Sequence, residues 1–535
     1  MILTMADFQI KNGEPDESVS QNEGDVGFGQ AEIINASGHK QEVDRNFGFW
    51  SICALSVCAD NAWAAGGGSM VVAFYNGGAP GIIYEFIAAC AFYCCIGAAL
   101  AELSSAIPSS SSVYHWASVT AGPKYGRIAS FYAGWWNVLA WIFGTASVSL
   151  FGANAIIACW SVQHPEYFPE RWHIFLAYLF VTWLACGTVM FGHSILPKIL
   201  NFGAFLCISV WFVTVMVLAI MPSKTGKGYA SNSFVWKDWN NATGYSSSGF
   251  VFLAGMLNGA FAIGTPDGCT HLAEEIPDPK RNIPKGILAQ LVIGIVTTFT
   301  FYLAVLYAIT DFNIVLNSSI VALPLAEAFH QGTNSVAGAT GLLAIFVLDI
   351  MFTIPGGFVT CGRMLWTIAR DDATPFAGWL GKIDKRFRNP FNATLICGCC
   401  TTILGCIFVG SQTAFAAFVG VFTILTTMSY LAAIMPHIMT ARKYVEPSRG
   451  PFWMPGIVGY LVTSIACAYI VVFNIIYMFP YSLPTDAAHM NYSSLMAGGL
   501  TIFISLWYLW KRNHGYIGPH VLLQANNEVA KAILN

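Results

Sequence analysis

Apolar residues in this chain do not alternate with polar ones; they run in blocks. From Phe47 to about residue 510, stretches long enough to cross a bilayer recur, separated by short polar segments. A span needs about 20 predominantly apolar residues. The blocks are 48–75, 80–106, 128–158, 172–192, 196–221, 249–275, 284–310, 337–369, 391–410, 413–440, 456–480 and 494–511, which predicts twelve transmembrane helices. Two blocks are less regular: 249–275 carries Asp267, Glu274 and Glu275, and 337–369 carries Asp349 and Arg363. Residues 1–47 differ, with nine acids, three bases and no long apolar block. A disordered acidic tail is expected there. It lacks a basic segment followed by an apolar core and a cleavage site, so no signal peptide is expected. A second tail covers 512–535.

Twelve spans put both termini on one side, and the basic residues choose the side. With the termini in the cytoplasm, 20 of the 25 Lys and Arg fall on cytoplasmic segments. Only Arg171, Lys224, Lys227 and Lys237 fall on the opposite face, and Arg363 lies within a span. That asymmetry predicts cytoplasmic termini and an even number of spans. The sequons at Asn241, Asn317 and Asn491 then lie on outer loops as candidate glycosylation sites.

Two blocks carry helix breakers. The first contains Ala64-Ala65-Gly66-Gly67-Gly68-Ser69 and the sixth contains Gly264-Thr265-Pro266-Asp267-Gly268. Each cluster is expected to unwind its helix locally. Unwound backbone at membrane depth is tolerated only where it lines a cavity or is buried in protein. The two breaks are five spans apart, an odd offset that inverts a repeated unit in the membrane. Inverted repeats with discontinuous first helices are the pattern of secondary transporters. Gly-rich stretches can also serve close helix packing.

Composition agrees: 56% of residues are hydrophobic and 10% charged, against about 25% charged in an ordinary soluble domain. Mean hydropathy is +0.58. These values exclude a conventional soluble enzyme, a disordered scaffold and a nucleic-acid binder. The net charge of −3 implies no polyanionic partner. Most of the 15 cysteines sit in apolar blocks and read as small buried thiols. No Walker A lysine motif, catalytic triad, paired-His zinc motif or cofactor fingerprint stands out, so neither an enzyme nor a metal or cofactor is expected.

Ala273-Glu274-Glu275-Ile276-Pro277-Asp278-Pro279-Lys280-Arg281-Asn282-Ile283-Pro284-Lys285, preceded by Asp267 and His271, resembles the sixth-helix signature of amino acid–polyamine–organocation permeases. Ala101-Glu102-Leu103-Ser104-Ser105-Ala106-Ile107-Pro108, Tyr114-His115-Trp116 and Gly134-Trp135-Trp136 resemble the second and third helices of the fungal branch, which carries choline, 4-aminobutyrate and amino acids. Similar motifs continue through Arg363-Met364-Leu365-Trp366 to Tyr516-Ile517-Gly518-Pro519. The resemblance implies an all-α LeuT-type fold of five plus five inverted spans, 48–221 and 249–440, followed by two further helices over 456–511. It also implies ion-driven import of a small amino acid, 4-aminobutyrate or a choline-like amine, usually with protons. A plasma-membrane location is expected. Some bacterial relatives place a lysine in the middle of the fifth helix for proton coupling; here that block has only Lys198, near its cytoplasmic end.

Residues bordering the breaks are the substrate-site candidates: Asp60, Asn61, Trp63, Gly66, Gly67 and Gly68 in the first, Phe261, Gly264, Thr265 and Asp267 in the sixth. An intramembrane carboxylate costs about 2.5–3.5 kcal/mol on insertion scales, so Asp60 is a candidate partner for a substrate ammonium. Branch relatives commonly have an apolar residue there. Asp60, Glu102 and Asp349 are candidates for ion coupling. Asp267, following Pro266, is expected to cap the second half-helix, Glu102 to bond the backbone near Ser104 and Ser105, and Arg363 to join an ion pair at a cytoplasmic gate. Trp63, Phe261, Trp135 and Trp136 are candidates for a cation–π wall. Rival readings on the same fold are an uncoupled exchanger or channel and a nutrient receptor.

Overall fold

The computed structural model describes residues 48–192, 194–316, 323–411, 413–487 and 490–519. The acidic tail and Asn317 lie outside them. In chain order the helices are α1 (Phe49–Asp60), α2 (Ala62–Gly68), α3 (Met70–Phe74), α4 (Gly78–Ala106), α5 (Val113–Thr120), α6 (Gly122–Ser161), α7 (Arg171–Phe191), α8 (Leu196–Lys224), α9 (Asn232–Trp236) and α10 (Ser248–Ala262). After a 3₁₀ segment, Gly268–Glu275, come α11 (Pro279–Ala308), α12 (Phe312–Leu316), α13 (Pro324–Thr333), α14 (Val336–Arg370), α15 (Ala377–Leu380), α16 (Phe391–Gly410), α17 (Thr413–Met439), α18 (Gly456–Ile476) and α19 (Ser493–Lys511). Prolines open α6, α8, α11 and α13, where a missing backbone donor is harmless.

Among the described residues, ten helices are long and apolar enough to cross a membrane: α4, α6, α7, α8, α11, α14, α16, α17, α18 and α19. With the family assignment below they make the chain an integral, multi-pass membrane protein. The α6 and α17 helices are the most enclosed, whereas α8, α18 and α19 present apolar side chains such as Phe205, Phe212, Ile457, Leu461 and Ile502 outward. That is the expected arrangement when the surrounding solvent is hydrocarbon.

The two remaining blocks, 48–75 and 249–275, are each broken. The first divides at Asn61, whose left-handed backbone (φ 34°, ψ 55°) closes α1 with its N–H on the Val57 carbonyl. Asn is among the few non-Gly residues that visit this conformation. It divides again at Ser69. The glycine cluster, expected to be unwound, is helical: Gly66, Gly67 and Gly68 all lie in α2. They serve close approach instead. A Cβ on Gly66 would run into the Tyr302 hydroxyl, and one on Gly67 would lie 2.9 Å from the Phe301 ring. The second block breaks where the sequence placed it, between Ala262 and Gly268, and resumes as a 3₁₀ segment rather than an α-helix. A two-residue antiparallel ladder, Asn76 with Asn241 and Gly77 with Asn240, ties the chain after the first broken block to the chain before the second.

Candidate functional site

The two breaks face each other, and Asp60 is the residue they share. It ends α1, is 6% exposed, and its Oδ1 accepts from the Thr265 hydroxyl at 2.6 Å. Thr265 in turn accepts from Gln290 Nε2 at 3.1 Å. Asp60 and Thr265 line a narrow cavity of about 30 Å³ together with Trp141, Phe261 and Phe422. The rings are mutually edge-on, Phe261 to Phe422 at 5.3 Å and Trp141 to Phe422 at 6.3 Å between centroids. One carboxylate and three aromatic side chains around one space suit an organic cation. A single water needs about 10–15 Å³, so this cavity takes water and must widen to take an amine.

Asn61 turns the other way. Its Nδ2 donates to Asp349 Oδ2 at 2.6 Å and to Thr353 Oγ1 at 2.7 Å, and its Oδ1 accepts from the Cys207 thiol at 3.2 Å. Asp349, deeply buried in α14, is thus bonded to the residue next to Asp60 across 288 positions of sequence. Thr353 also lines the cavity, so both networks border it.

Asp267 does not cap the 3₁₀ segment as expected; its side chain makes no cap bond. The break leaves the carboxylate inside the bundle, where it accepts from the Tyr430 hydroxyl (2.5 Å), Asn137 Nδ2 (2.8 Å) and Trp141 Nε1 (3.3 Å), with His271 Nε2 at 3.2 Å. Four side chains from three elements converge on it. Through Trp141 it fixes one wall of the cavity.

Toward the end of the bundle where α14 and the 3₁₀ segment finish, three buried carboxylates meet cations. Glu275 is paired with Arg363 Nε (2.5 Å) and NH2 (3.1 Å), placing Arg363 in an ion pair as expected. Glu274 accepts from Arg370 NH2 at 3.1 Å, and the Arg370 guanidinium stacks 3.9 Å from the Trp366 ring centre. Glu102 does not bond the backbone near Ser104 and Ser105. It reaches His437 Nε2 (3.1 Å), Arg442 NH2 (3.4 Å) and the Met454 N–H (2.9 Å). The reason is tertiary: the end of α17 and the following loop bring donors that outcompete the local ones. Removing one partner of such a buried pair typically costs about 3–5 kcal/mol.

Several candidates stand elsewhere. Trp63 is fully buried but packs on Phe301 (5.1 Å) and Phe346 (5.7 Å), away from the cavity lining. Trp135 and Trp136 donate to Ala373 O (3.3 Å) and Thr501 Oγ1 (3.1 Å) as packing residues. Gly66, Gly67 and Gly68 do not line the cavity, and Gly264 meets the Tyr430 hydroxyl through its carbonyl at 3.4 Å. Asn491 is 1% exposed and its amide donates to Tyr477 O and Phe479 O at 2.7 and 2.8 Å, a placement that encloses the nitrogen a glycan would need. Asn241 is half-buried, and its amide donates to Tyr245 O at 2.7 Å.

Sequence reasoning missed Trp141, Phe422 and Gln290, which nothing marks among so many aromatic and polar residues. It also passed over Glu85, which was readable as an acid inside the block 80–106. Glu85 is 1% exposed, and neither carboxylate oxygen has a hydrogen-bond partner among the described residues. It rests on Gly255 of α10, where a Cβ would collide with its oxygens.

Comparison with known proteins accords with this architecture. The amino acid permease family model matches residues 47–505. The chain is 30% identical to a choline transporter of Saccharomyces cerevisiae, over 91% of this chain and 84% of that one. It is 26% identical to the 7-keto 8-aminopelargonic acid transporter of the same yeast, over 89% and 94% of the two chains. The fold is similar to the crystal structure of a manganese transporter of Eremococcus coleocola, with a TM-score of 0.51 at 13% identity, covering 90% of this chain and 98% of that one.

Proposed function

The chain belongs to the amino acid permease family, and from that premise we propose that it is a secondary active transporter importing a small amino acid, 4-aminobutyrate or a choline-like amine by proton symport with alternating access. The observation that carries this reading is the placement of Asp60 with Trp141, Phe261 and Phe422 around one cavity at the meeting of two broken helices. Asp60 receives the ammonium, and the rings receive its apolar or methylated face. Similarity to the yeast choline transporter, 30% identical, supports the organic-cation end of this range.

In this reading the broken blocks 48–75 and 249–275 are the first and sixth of twelve spans, and the halves 48–221 and 249–440 are inverted repeats with 456–511 appended. Both termini are cytoplasmic and the membrane is the plasma membrane. The pairs Arg363–Glu275 and Arg370–Glu274, with Glu102, His437 and Arg442, form the closed inner gate. Asp60, Asp349 and Glu85 are the carboxylates available to a travelling proton.

The test is uptake by purified protein in liposomes, with an inward proton gradient and a panel of labelled amines and amino acids. Accumulation above equilibrium that a protonophore abolishes is the expected result. Equilibration without accumulation would instead support an uncoupled exchanger, and saturable binding without flux a nutrient receptor.

A further inference from the structure

We propose that the groove between α4 and α11 is a binding site for an anionic phospholipid of the inner leaflet. The groove has a volume of about 580 Å³ and is walled almost entirely by apolar atoms. On α4 it is hollowed by three small residues, Gly97, Ala98 and Ala101, and on α11 it is flanked by Leu288 and Leu291. Gly97 lets α11 pack closely on α4 along the groove floor: a Cβ on Gly97 would lie 2.5 Å from Leu291 Cδ1. The groove opens sideways, beside Leu288 and Val292, which are 61% and 53% exposed. These side chains belong to a span that faces hydrocarbon, so what fills the groove comes from the bilayer.

One end of the groove is not apolar. Lys280, Arg281 and Lys285 line its mouth. All three sit in the first two turns of α11, at the positive end of its helix dipole. Nearby acids do not cancel this charge. Glu274 and Glu275 are engaged by Arg370 and Arg363, and among the described residues only Asp278 approaches, 3.8 Å from Arg281 with both side chains more than half exposed. Lys285 Nζ lies 5.5 Å from the Phe49 ring centre, and among the described residues no carboxylate forms an ion pair with it. An apolar channel ending in excess positive charge matches an acyl chain ending in a headgroup of net negative charge. By the basic asymmetry of the loops this mouth lies on the cytoplasmic side, where anionic lipids concentrate. The site is separate from the cavity at Asp60 and does not depend on the substrate.

Native mass spectrometry of the full-length protein in detergent tests the proposal, with phosphatidylserine and phosphatidylcholine added in turn. Wild type should retain one phosphatidylserine about tenfold more tightly than phosphatidylcholine. The double variant Lys280→Gln/Lys285→Gln alters only side chains at the surface and should lose most of that preference, about a tenfold weakening. Ala98→Phe fills the groove and should reduce retention of both lipids. Equal retention of the two lipids by wild type would overturn the proposal, as would wild-type preference in the double variant. Should Ala98→Phe fail to fold, the double variant decides alone.

Discussion

Replacing Asp60 with Asn tests the charge at the centre of the proposed site while sparing its geometry. Asn keeps an oxygen able to accept from Thr265, now 2.6 Å away, so the hydrogen-bonded chain to Gln290 survives. What is lost is attraction for a cation. Two unit charges about 4 Å apart interact by about 4 kcal/mol at an effective dielectric of 20. Dehydration of both groups on binding removes part of this, leaving the roughly 1.5–3 kcal/mol typical of a hydrogen bond to a charged group. At 1.4 kcal/mol per factor of ten, the apparent KM for cationic substrates should rise about ten- to a hundredfold with surface expression maintained. The assay is initial uptake of labelled choline, 4-aminobutyrate and neutral amino acids, alongside counterflow exchange at equal pH. If Asp60 instead carries the proton, exchange persists and accumulation fails. Wild-type values in both assays would refute the reasoning and move the charged part of the site to Asp349 or Asp267.

Breaking the Arg363–Glu275 pair with Glu275→Gln should lower thermal stability by about 3–5 kcal/mol, and the double variant with Arg363→Gln should recover part of it in a double-mutant cycle; strict additivity of the two single changes would argue against a direct pair. Gly67→Ala should destabilise by about 1–3 kcal/mol despite the better helix propensity of Ala, because the Phe301 ring it meets is held in place by Trp63; detergent melting curves measure it, and a gain in stability would show that the ring can yield. A tag after residue 535 should be reached by antibody only after permeabilisation, and labelling of intact cells would invert the topology.

The hydropathy blocks made the ten long helices legible, since length and apolarity are local properties. The second break was legible because Pro266 lacks a donor and Gly264 and Gly268 flank it two residues to either side. The first break was misplaced for a physical reason. Three glycines suggest unwinding, yet each can stay helical where a neighbour presses on it, and here Tyr302, Phe301 and Phe151 do. The true break needs a single left-handed residue, and Asn61 carries no signal that distinguishes it from a helical Asn. Asp60 was identifiable as an expensive carboxylate. Its setting was not, because Trp141 and Phe422 arrive from α6 and α17 by tertiary packing. The partners of Glu102 escaped for the same reason, since His437 lies 335 residues away.

The left-handed residue at position 61 makes sequence neighbours into ligands of different helices. Asp60 belongs to the α10–α11 side through Thr265 and Gln290, and Asn61 belongs to α14 through Asp349 and Thr353. One peptide plane joins them, so its rotation is a single coordinate shared by two carboxylates. If Asp60 binds substrate as proposed, an event at Asp349 that alters its hold on Asn61 is expected to shift the affinity at Asp60. Thermodynamic reciprocity requires the shift to run equally in the other direction. On the proposed site, a joint of one residue would be the physical link between the two acids.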